Sequence, residues 1–148
     1  MIDHMNMTDV IISITGIQRD PSGQRDAVEL VTAGQYGFEN GESRFTYEES
    51  DLTGLEGTRT TFTINPMGVV LRREGSLNAE MTFREGQKDF FLYETPFGSA
   101  TMGVDTRKID AKLDEHGGTM ELDYAIDFNH APVGRNKFKI NVREKTNG

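Results

Sequence analysis

Apolar and polar residues alternate along most of this chain, in short runs separated by turns that contain glycine or proline. The clearest run places one set of apolar residues on the same parity, with acidic residues between them: Met120, Leu122, Tyr124, Ile126 and Phe128. Successive side chains of a strand point to opposite faces, so a period of two predicts strands with one buried and one wet face. No apolar stripe of helical period is long enough to predict a helix.

Turn residues divide the chain into about ten or eleven strand segments, each of the length common in sheets. Asn40-Gly41 is the strongest hairpin signal, because both residue types tolerate the positive φ angles of a type I′ turn. Gly117-Gly118 predicts a second hairpin turn, and Ala131-Pro132-Val133-Gly134 leads into the last strand. The alternation breaks at residues 52–57, which predicts a loop or a bulge.

An open meander of so many strands would leave two unpaired edges. Closure removes those edges, so we predict an all-β fold: a closed antiparallel up-and-down β-barrel of about eight main strands with short extra segments. An open sandwich is the alternative. A glycine bulge at Gly75 or Gly103 would reverse the parity of all later residues, so the inward set beyond these positions depends on register.

Length and composition predict one domain of 148 residues. We assign the barrel to residues 9–145, a leader or cloning remnant to 1–8 and a tail to 146–148. The absence of cysteine excludes disulfides, thiolate metal sites and thiol nucleophiles. The sequence contains neither an apolar run of about 20 residues nor a signal-peptide pattern, so we expect a cytoplasmic protein without a membrane partner.

The net charge of −8 predicts an acidic surface that repels phosphate backbones, so nucleic acid is not an expected partner. The last strand nevertheless carries a basic cluster: Arg135, Lys137, Lys139, Arg143 and Lys145. The alternate positions of the same strand are apolar: Phe138, Ile140 and Val142. We therefore interpret the basic cluster as the wet face of that strand.

Five residues are candidates for a ligand site in the barrel interior or mouth: Tyr47, Glu49, Arg73, Tyr93 and Glu94. Glu48 and Glu49 are neighbours on a strand and point to opposite faces, and parity with Tyr47 selects Glu49 as the inward one. An inward Arg73 needs a carboxylate partner, either Glu49 or Glu94, because an unpaired buried charge is costly. Three interpretations of Arg73 and its carboxylate remain open. The two groups form a structural ion pair, they both lie in water at a strand end, or Arg73 binds an anionic ligand.

The leading interpretation is a non-enzymatic module that binds a small molecule or a partner. Two carboxylates across a cavity serve glycoside hydrolysis, so a hydrolase using Glu49 and Glu94 is an alternative. A protein-interaction module is a second alternative. Its candidate partner is another copy of the chain, which would give a homodimer. The histidines are scattered at His4, His116 and His130, and no phosphate-binding or nucleophile motif occurs, so we expect no metal and no cofactor.

Several motifs follow one another in a fixed order: Tyr47-Glu48-Glu49-Ser50, Leu52-Thr53-Gly54, Gly57-Thr58, Tyr93-Glu94-Thr95-Pro96-Phe97-Gly98, Gly103-Val104 and Gly117-Gly118. In this order and spacing, from about Val10 to Glu144, the chain resembles the YwiB-like family of small bacterial proteins of unknown function. The resemblance implies a lipocalin-like, or calycin, β-barrel and no established activity, substrate or catalytic residue. Phe97 stands where the family more often has tyrosine, which removes a hydroxyl from that position.

Overall fold

One antiparallel sheet of ten strands contains most of the residues that the structure describes. The computed structural model describes residues 6–50 and 54–145, so expectations for residues 1–5, 51–53 and 146–148 lie outside it. The strands are β1 (Thr8–Arg19), β2 (Arg25–Glu39), β3 (Glu42–Glu48), β4 (Thr58–Asn65), β5 (Gly68–Gly75), β6 (Ala79–Phe83), β7 (Lys88–Thr95), β8 (Gly98–Asp114), β9 (Gly117–Phe128) and β10 (Ala131–Glu144). Within those described ranges, no helix is long and apolar enough to cross a lipid bilayer.

The strands form an up-and-down barrel. Their order in the sheet is β6-β5-β4-β3-β2-β1-β10-β9-β8-β7, so every pairing joins strands adjacent in sequence, except that β1 pairs with β10. That pairing runs from Val10 opposite Glu144 to Arg19 opposite Arg135. The two ends of the sheet, β6 and β7, meet at an antiparallel bridge between Asn78 and Glu94. The predicted antiparallel barrel is confirmed as nearly closed, with ten strands rather than about eight.

Alternate residues of each strand fill the core, as the period of two predicts. Phe45 on β3 and Phe62 on β4 lie opposite each other, with their ring centroids 4.9 Å apart in a stacked arrangement. Phe83 on β6 packs against Tyr124 on β9 across the barrel, at 4.8 Å between centroids. All four side chains are buried, so aromatic contacts pack the core both between neighbouring strands and across the interior.

The β2–β3 hairpin turns where the sequence predicts it. Asn40 and Gly41 have φ angles of 52° and 77°, the positive values that a type I′ turn requires. The β9–β10 hairpin turns in the same way at Asn129 and His130, with φ angles of 49° and 69°. The segment 131–134 therefore already belongs to β10.

The predicted turn at Gly117-Gly118 is wrong by two residues. The chain turns at Glu115 and His116, and the two glycines open β9 with φ angles of 119° and 139°. A side chain at Gly117 would collide with the carbonyl oxygen of Val142 on β10. Glycine is required here because strand backbones approach closely, and not because the chain reverses.

Neither Gly75 nor Gly103 forms a bulge that reverses the inward and outward alternation of the later residues. Leu71 and Met81, on either side of Gly75, both face inward. Gly103 lies opposite Asp127 on the outer face, where an added Cβ would lie 2.6 Å from a carboxylate oxygen. The register instead shifts in β8 between Thr106 and Lys108 and in β10 between Pro132 and Gly134.

The basic cluster of β10 lies on the outer surface. Lys137 and Arg135 lie 2.9 Å and 3.7 Å from carboxylate oxygens of Glu121 and Asp123 on β9. Ile140 and Val142 on the alternate positions are buried. The interpretation of this cluster as a wet strand face agrees with the structure.

The stacked rings of β3 and β4 give a stability prediction. Phe45→Ala deletes a ring that is 0% exposed and should lower the free energy of unfolding by about 3–5 kcal/mol. The variant loses the free energy gained by moving the ring out of water, and it leaves a cavity in the core. Val31→Ala is the control, since Val31 is 67% exposed on β2, and should cost less than about 0.5 kcal/mol. Urea unfolding measures both variants, and equal effects would contradict this account of the core.

Candidate functional site

A cavity of about 480 Å³ occupies one end of the barrel. Its walls come from strand ends beside the β1–β2, β3–β4, β5–β6, β7–β8 and β9–β10 connections. Most of the lining is aliphatic or aromatic, including Ile14, Leu30, Phe62, Met81, Phe91 and Phe138. The barrel therefore encloses a mainly apolar cavity that is open at one end.

The opposite end of the barrel is packed. Tyr36 is 2% exposed there, and its hydroxyl donates a 2.6 Å hydrogen bond to the main-chain carbonyl of Asp114. The same hydroxyl lies 3.3 Å from that of Ser43, which is also buried. These bonds satisfy the polar groups that close this end, so the interior is accessible from the other one.

Three neighbouring strands place one polar row on the cavity wall. Tyr47 on β3 lies opposite Thr60 on β4, and Thr60 lies opposite Arg73 on β5. Glu49 follows two residues after Tyr47, and its backbone N–H donates to the Thr58 carbonyl at 2.8 Å. That bond extends the strand alternation beyond β3, so Glu49 points inward as parity predicts.

Glu49 is a buried carboxylate held by hydroxyl groups. Its side chain is 2% exposed, and the Thr60 hydroxyl donates to Oε2 at 2.5 Å. The Tyr47 hydroxyl also donates a hydrogen bond to the Glu49 carboxylate. Hydroxyl donors replace part of the water that a buried carboxylate loses.

Arg73 lies beside Glu49 without bonding to it directly. Its Nε is 3.9 Å from Glu49 Oε2, which is within ion-pair distance but too long for a hydrogen bond. The side chain is 20% exposed. Among the residues that the structure describes, the buried Nε of Arg73 has no hydrogen-bond partner. Of the two carboxylates predicted as partners, Glu49 is the one that Arg73 approaches.

Two tyrosines keep neutral hydroxyl groups beside this pair. Burial, reinforced by the negative charge of Glu49, raises the pKa of the Tyr47 phenol above its ordinary value of 10.0. Burial also raises the pKa of Tyr124 on β9, while the positive charge of Arg73 opposes that shift. Both phenols therefore remain neutral at physiological pH.

Tyr93 and Glu94 are separated by the alternation of β7. Tyr93 lines the cavity and is 37% exposed. Glu94 is exposed on the other face of the strand, at a shallow depression that it shares with Arg72 and Glu80. The structure thus brings Tyr47, Glu49, Arg73 and Tyr93 to one cavity and leaves Glu94 outside its lining.

Sequence reasoning missed several polar residues of the cavity. Thr60 and Tyr124 have inward parity, but nothing in the sequence says that they lie beside a charge pair. Gln18, Asp26 and Asn136 line the cavity from the β1–β2 and β9–β10 ends. A polar residue at inward parity near a turn is the only sequence signal available for them.

The described residues contain no cluster of three or more histidine, cysteine, aspartate or glutamate residues that is arranged to hold a metal. His116 lies on the packed end, with Nδ1 2.8 Å from Glu144. His4 lies outside the described ranges. The described lining of the cavity offers hydrogen-bonding groups, the Glu49–Arg73 pair and apolar surface.

The support for Glu49 gives a prediction. Thr60→Val keeps the side-chain shape but removes the hydroxyl donor, so the free energy of unfolding should fall by about 1.5–3 kcal/mol, as expected for a hydrogen bond to a charged group. Thr63→Val on the same strand is the control, because Thr63 lies on the outward parity of β4 and is half-buried. Calorimetric unfolding measures the difference. Equal stability of the two variants would contradict the role assigned to Thr60.

The buried phenols give a pH prediction. Since the folded state raises the pKa values of Tyr47 and Tyr124, their contribution to stability is present below pH 10.0 and is lost as the pH rises above it. Ultraviolet absorbance should show Tyr47, Tyr124 and the buried Tyr36, whose pKa is also raised by burial, ionising only as the barrel unfolds, and Tyr47→Phe should remove about a third of that late phase. Full ionisation of the tyrosines while circular dichroism still shows a folded sheet would contradict the burial.

Comparison with known proteins identifies the family but no activity. A family model, described as a domain of unknown function (DUF1934), matches residues 12–140. The crystal structure of the ywiB protein from Bacillus subtilis is similar over 96% of both chains, with a TM-score of 0.76 and 21% identity. That likeness shows a shared fold and confirms the resemblance to YwiB-like proteins, whereas the lipocalin-like relationship stays a prediction. No curated protein matches the chain. The chain belongs to the DUF1934 family of unknown function.

Proposed function

We propose that this protein is a non-enzymatic barrel that binds a small molecule in its interior, with Arg73 donating hydrogen bonds to the polar end of the ligand. The observation that carries this proposal is the buried Nε of Arg73, which has no hydrogen-bond partner among the described residues and belongs to a side chain on the cavity wall. Because Arg73 lies on the cavity wall and its side chain is 20% exposed, its guanidinium group is suited to donate to a ligand acceptor.

The size and lining of the cavity support a small-molecule site. Small-molecule pockets usually measure about 300–1,000 Å³ and combine apolar walls with a few placed polar groups. The cavity of about 480 Å³ falls in this range, with the Glu49–Arg73 pair as its charged element. A core that served packing alone would fill this volume with side chains, as the opposite end of the barrel does.

The geometry of the ion pair supports binding over a purely structural role. Structural arginine–carboxylate pairs gain most when two short parallel hydrogen bonds form. Here the separation of 3.9 Å forms no such bond, and an unsatisfied buried donor costs about 1–3 kcal/mol. A ligand acceptor would recover that free energy on binding.

The hydrolase alternative gains no support from the placement of its two carboxylates. Glycoside hydrolysis needs both groups in one cleft, at a separation of about 5–9.5 Å. Glu49 lines the cavity, whereas Glu94 is exposed at a depression on the other face of β7. Cytoplasmic location, the absence of nucleic-acid and membrane partners, and homodimer formation stay predictions from composition and pattern.

Adjacent arginines offer a matched test of this function. Arg73→Met removes the inward guanidinium, whereas Arg72→Met removes an outward one that is 54% exposed and paired with Glu80. Thermal-shift screening against neutral metabolites and fatty-acid derivatives should find compounds that stabilise the wild type and Arg72→Met. Titration calorimetry should then show about tenfold weaker binding to Arg73→Met, the usual cost of losing a hydrogen bond to a charged group.

Circular dichroism establishes that each variant is folded before binding is measured. If Arg73→Met were more stable than the wild type and bound every compound equally well, the Arg73–Glu49 pair would be structural only. If no compound stabilised the wild type, the binding function itself would be refuted.

A further inference from the structure

We infer that the ligand of this barrel is an uncharged amphipathic molecule whose polar end is a hydrogen-bond acceptor, such as an amide or ester carbonyl, and not a carboxylate. This inference rests on the proposed function and narrows its ligand class. It also differs from the sequence-based expectation of an anionic ligand for Arg73.

The first argument is the charge balance of the cavity. Among the described lining residues, the charged groups are Arg73, Glu49 and Asp26. Glu49 already lies 3.9 Å from Arg73 and neutralises it, while Asp26 adds a negative charge toward the β1–β2 end. No cation of the described lining is left to balance a ligand anion, so an anion would enter a site whose net charge is already negative.

The second argument is the hydrogen-bonding capacity that remains. The Glu49 carboxylate accepts a hydrogen bond from the Thr60 hydroxyl and interacts with the Tyr47 hydroxyl. The Nε of Arg73 forms no hydrogen bond with Glu49, because 3.9 Å exceeds hydrogen-bond length. The pair therefore offers N–H donors to the cavity, and a carbonyl oxygen with two lone pairs can accept from such a group.

The third argument is the cost of dehydration. A carboxylate that enters this cavity must give up far more hydration free energy than an amide or ester carbonyl does. A lone cation can offset that loss, but here Glu49 repels the incoming charge while Arg73 attracts it. The attraction is largely cancelled, so the neutral acceptor is favoured over the anion.

The rest of the lining defines the body of the ligand. Side chains of Leu30, Phe62, Met81, Phe91 and Phe138 present aliphatic and aromatic surface to the cavity. An unbranched or ring-containing apolar body is favoured here, because binding would remove its apolar surface and that of the cavity from water. The ligand class is therefore an apolar body with one uncharged acceptor end.

Decanamide and decanoate are matched probes of this inference, since they share one alkyl chain and differ in the charge of the head group. Calorimetric titration of the whole protein at neutral pH and about 0.15 M salt limits the long-range effect of the acidic surface. Decanamide should bind at least about tenfold more tightly than decanoate. Arg73→Met should weaken the binding of both probes and should not raise decanoate relative to decanamide, because Glu49 then repels the carboxylate with no cation beside it.

Glu49→Gln tests the cause of the preference. The substitution keeps the shape of Glu49 and an oxygen for the Thr60 hydroxyl but removes the charge that neutralises Arg73. Decanoate should therefore gain at least about tenfold relative to decanamide. Glu48→Gln removes the same charge from the outer face, where the carboxylate is 65% exposed and paired with Arg59, and should leave the ratio unchanged.

The outcomes separate this inference from the proposed function. Binding of decanoate as tight as that of decanamide in the wild type would overturn the inference while leaving a small-molecule barrel. An unchanged ratio in a folded Glu49→Gln variant would also overturn it. Absence of binding of either probe up to its solubility limit would overturn the inference, and failure of the whole compound screen would refute the proposed function separately.

Discussion

Side-chain alternation within a nearly closed sheet is the constraint on which the rest of this structure depends. Because β1 pairs with β10 along its length and β6 meets β7 at the bridge between Asn78 and Glu94, each strand contributes alternate side chains to one shared interior. Pairing of β3, β4 and β5 places Tyr47, Thr60 and Arg73 in one row, and closure encloses that row in the interior. An open sheet would leave the same row in water.

The two ends of the interior have different roles. The buried Tyr36 and its hydrogen bond to the Asp114 carbonyl close one end, which is packed with side chains. The other end keeps an apolar cavity with the Glu49–Arg73 pair on its wall. A buried ion pair contributes little net stability, so its place beside a cavity agrees better with recognition than with support of the fold.

The sequence predicts the barrel and the inward positions of Glu49 and Arg73, because both depend only on parity counted from nearby apolar residues. It does not predict which inward residues face a cavity rather than the core, since that depends on the register between strands that are distant in sequence. The turn at Glu115-His116 was misplaced because Gly117 and Gly118 are needed for strand contact instead. Glu94 was grouped with Tyr93 by motif, although neighbours on a strand point apart.

The Nε–H signal of Arg73 in a nuclear magnetic resonance spectrum is the most direct measure of the central claim, that a ligand acceptor in the interior bonds to this group. On saturation with a bound neutral compound, the signal should shift and its exchange with water should slow, while that of Arg72 stays unchanged. A bound compound that leaves the Arg73 signal unaffected and shifts signals of exposed residues such as Phe90 and Leu92 would contradict the account.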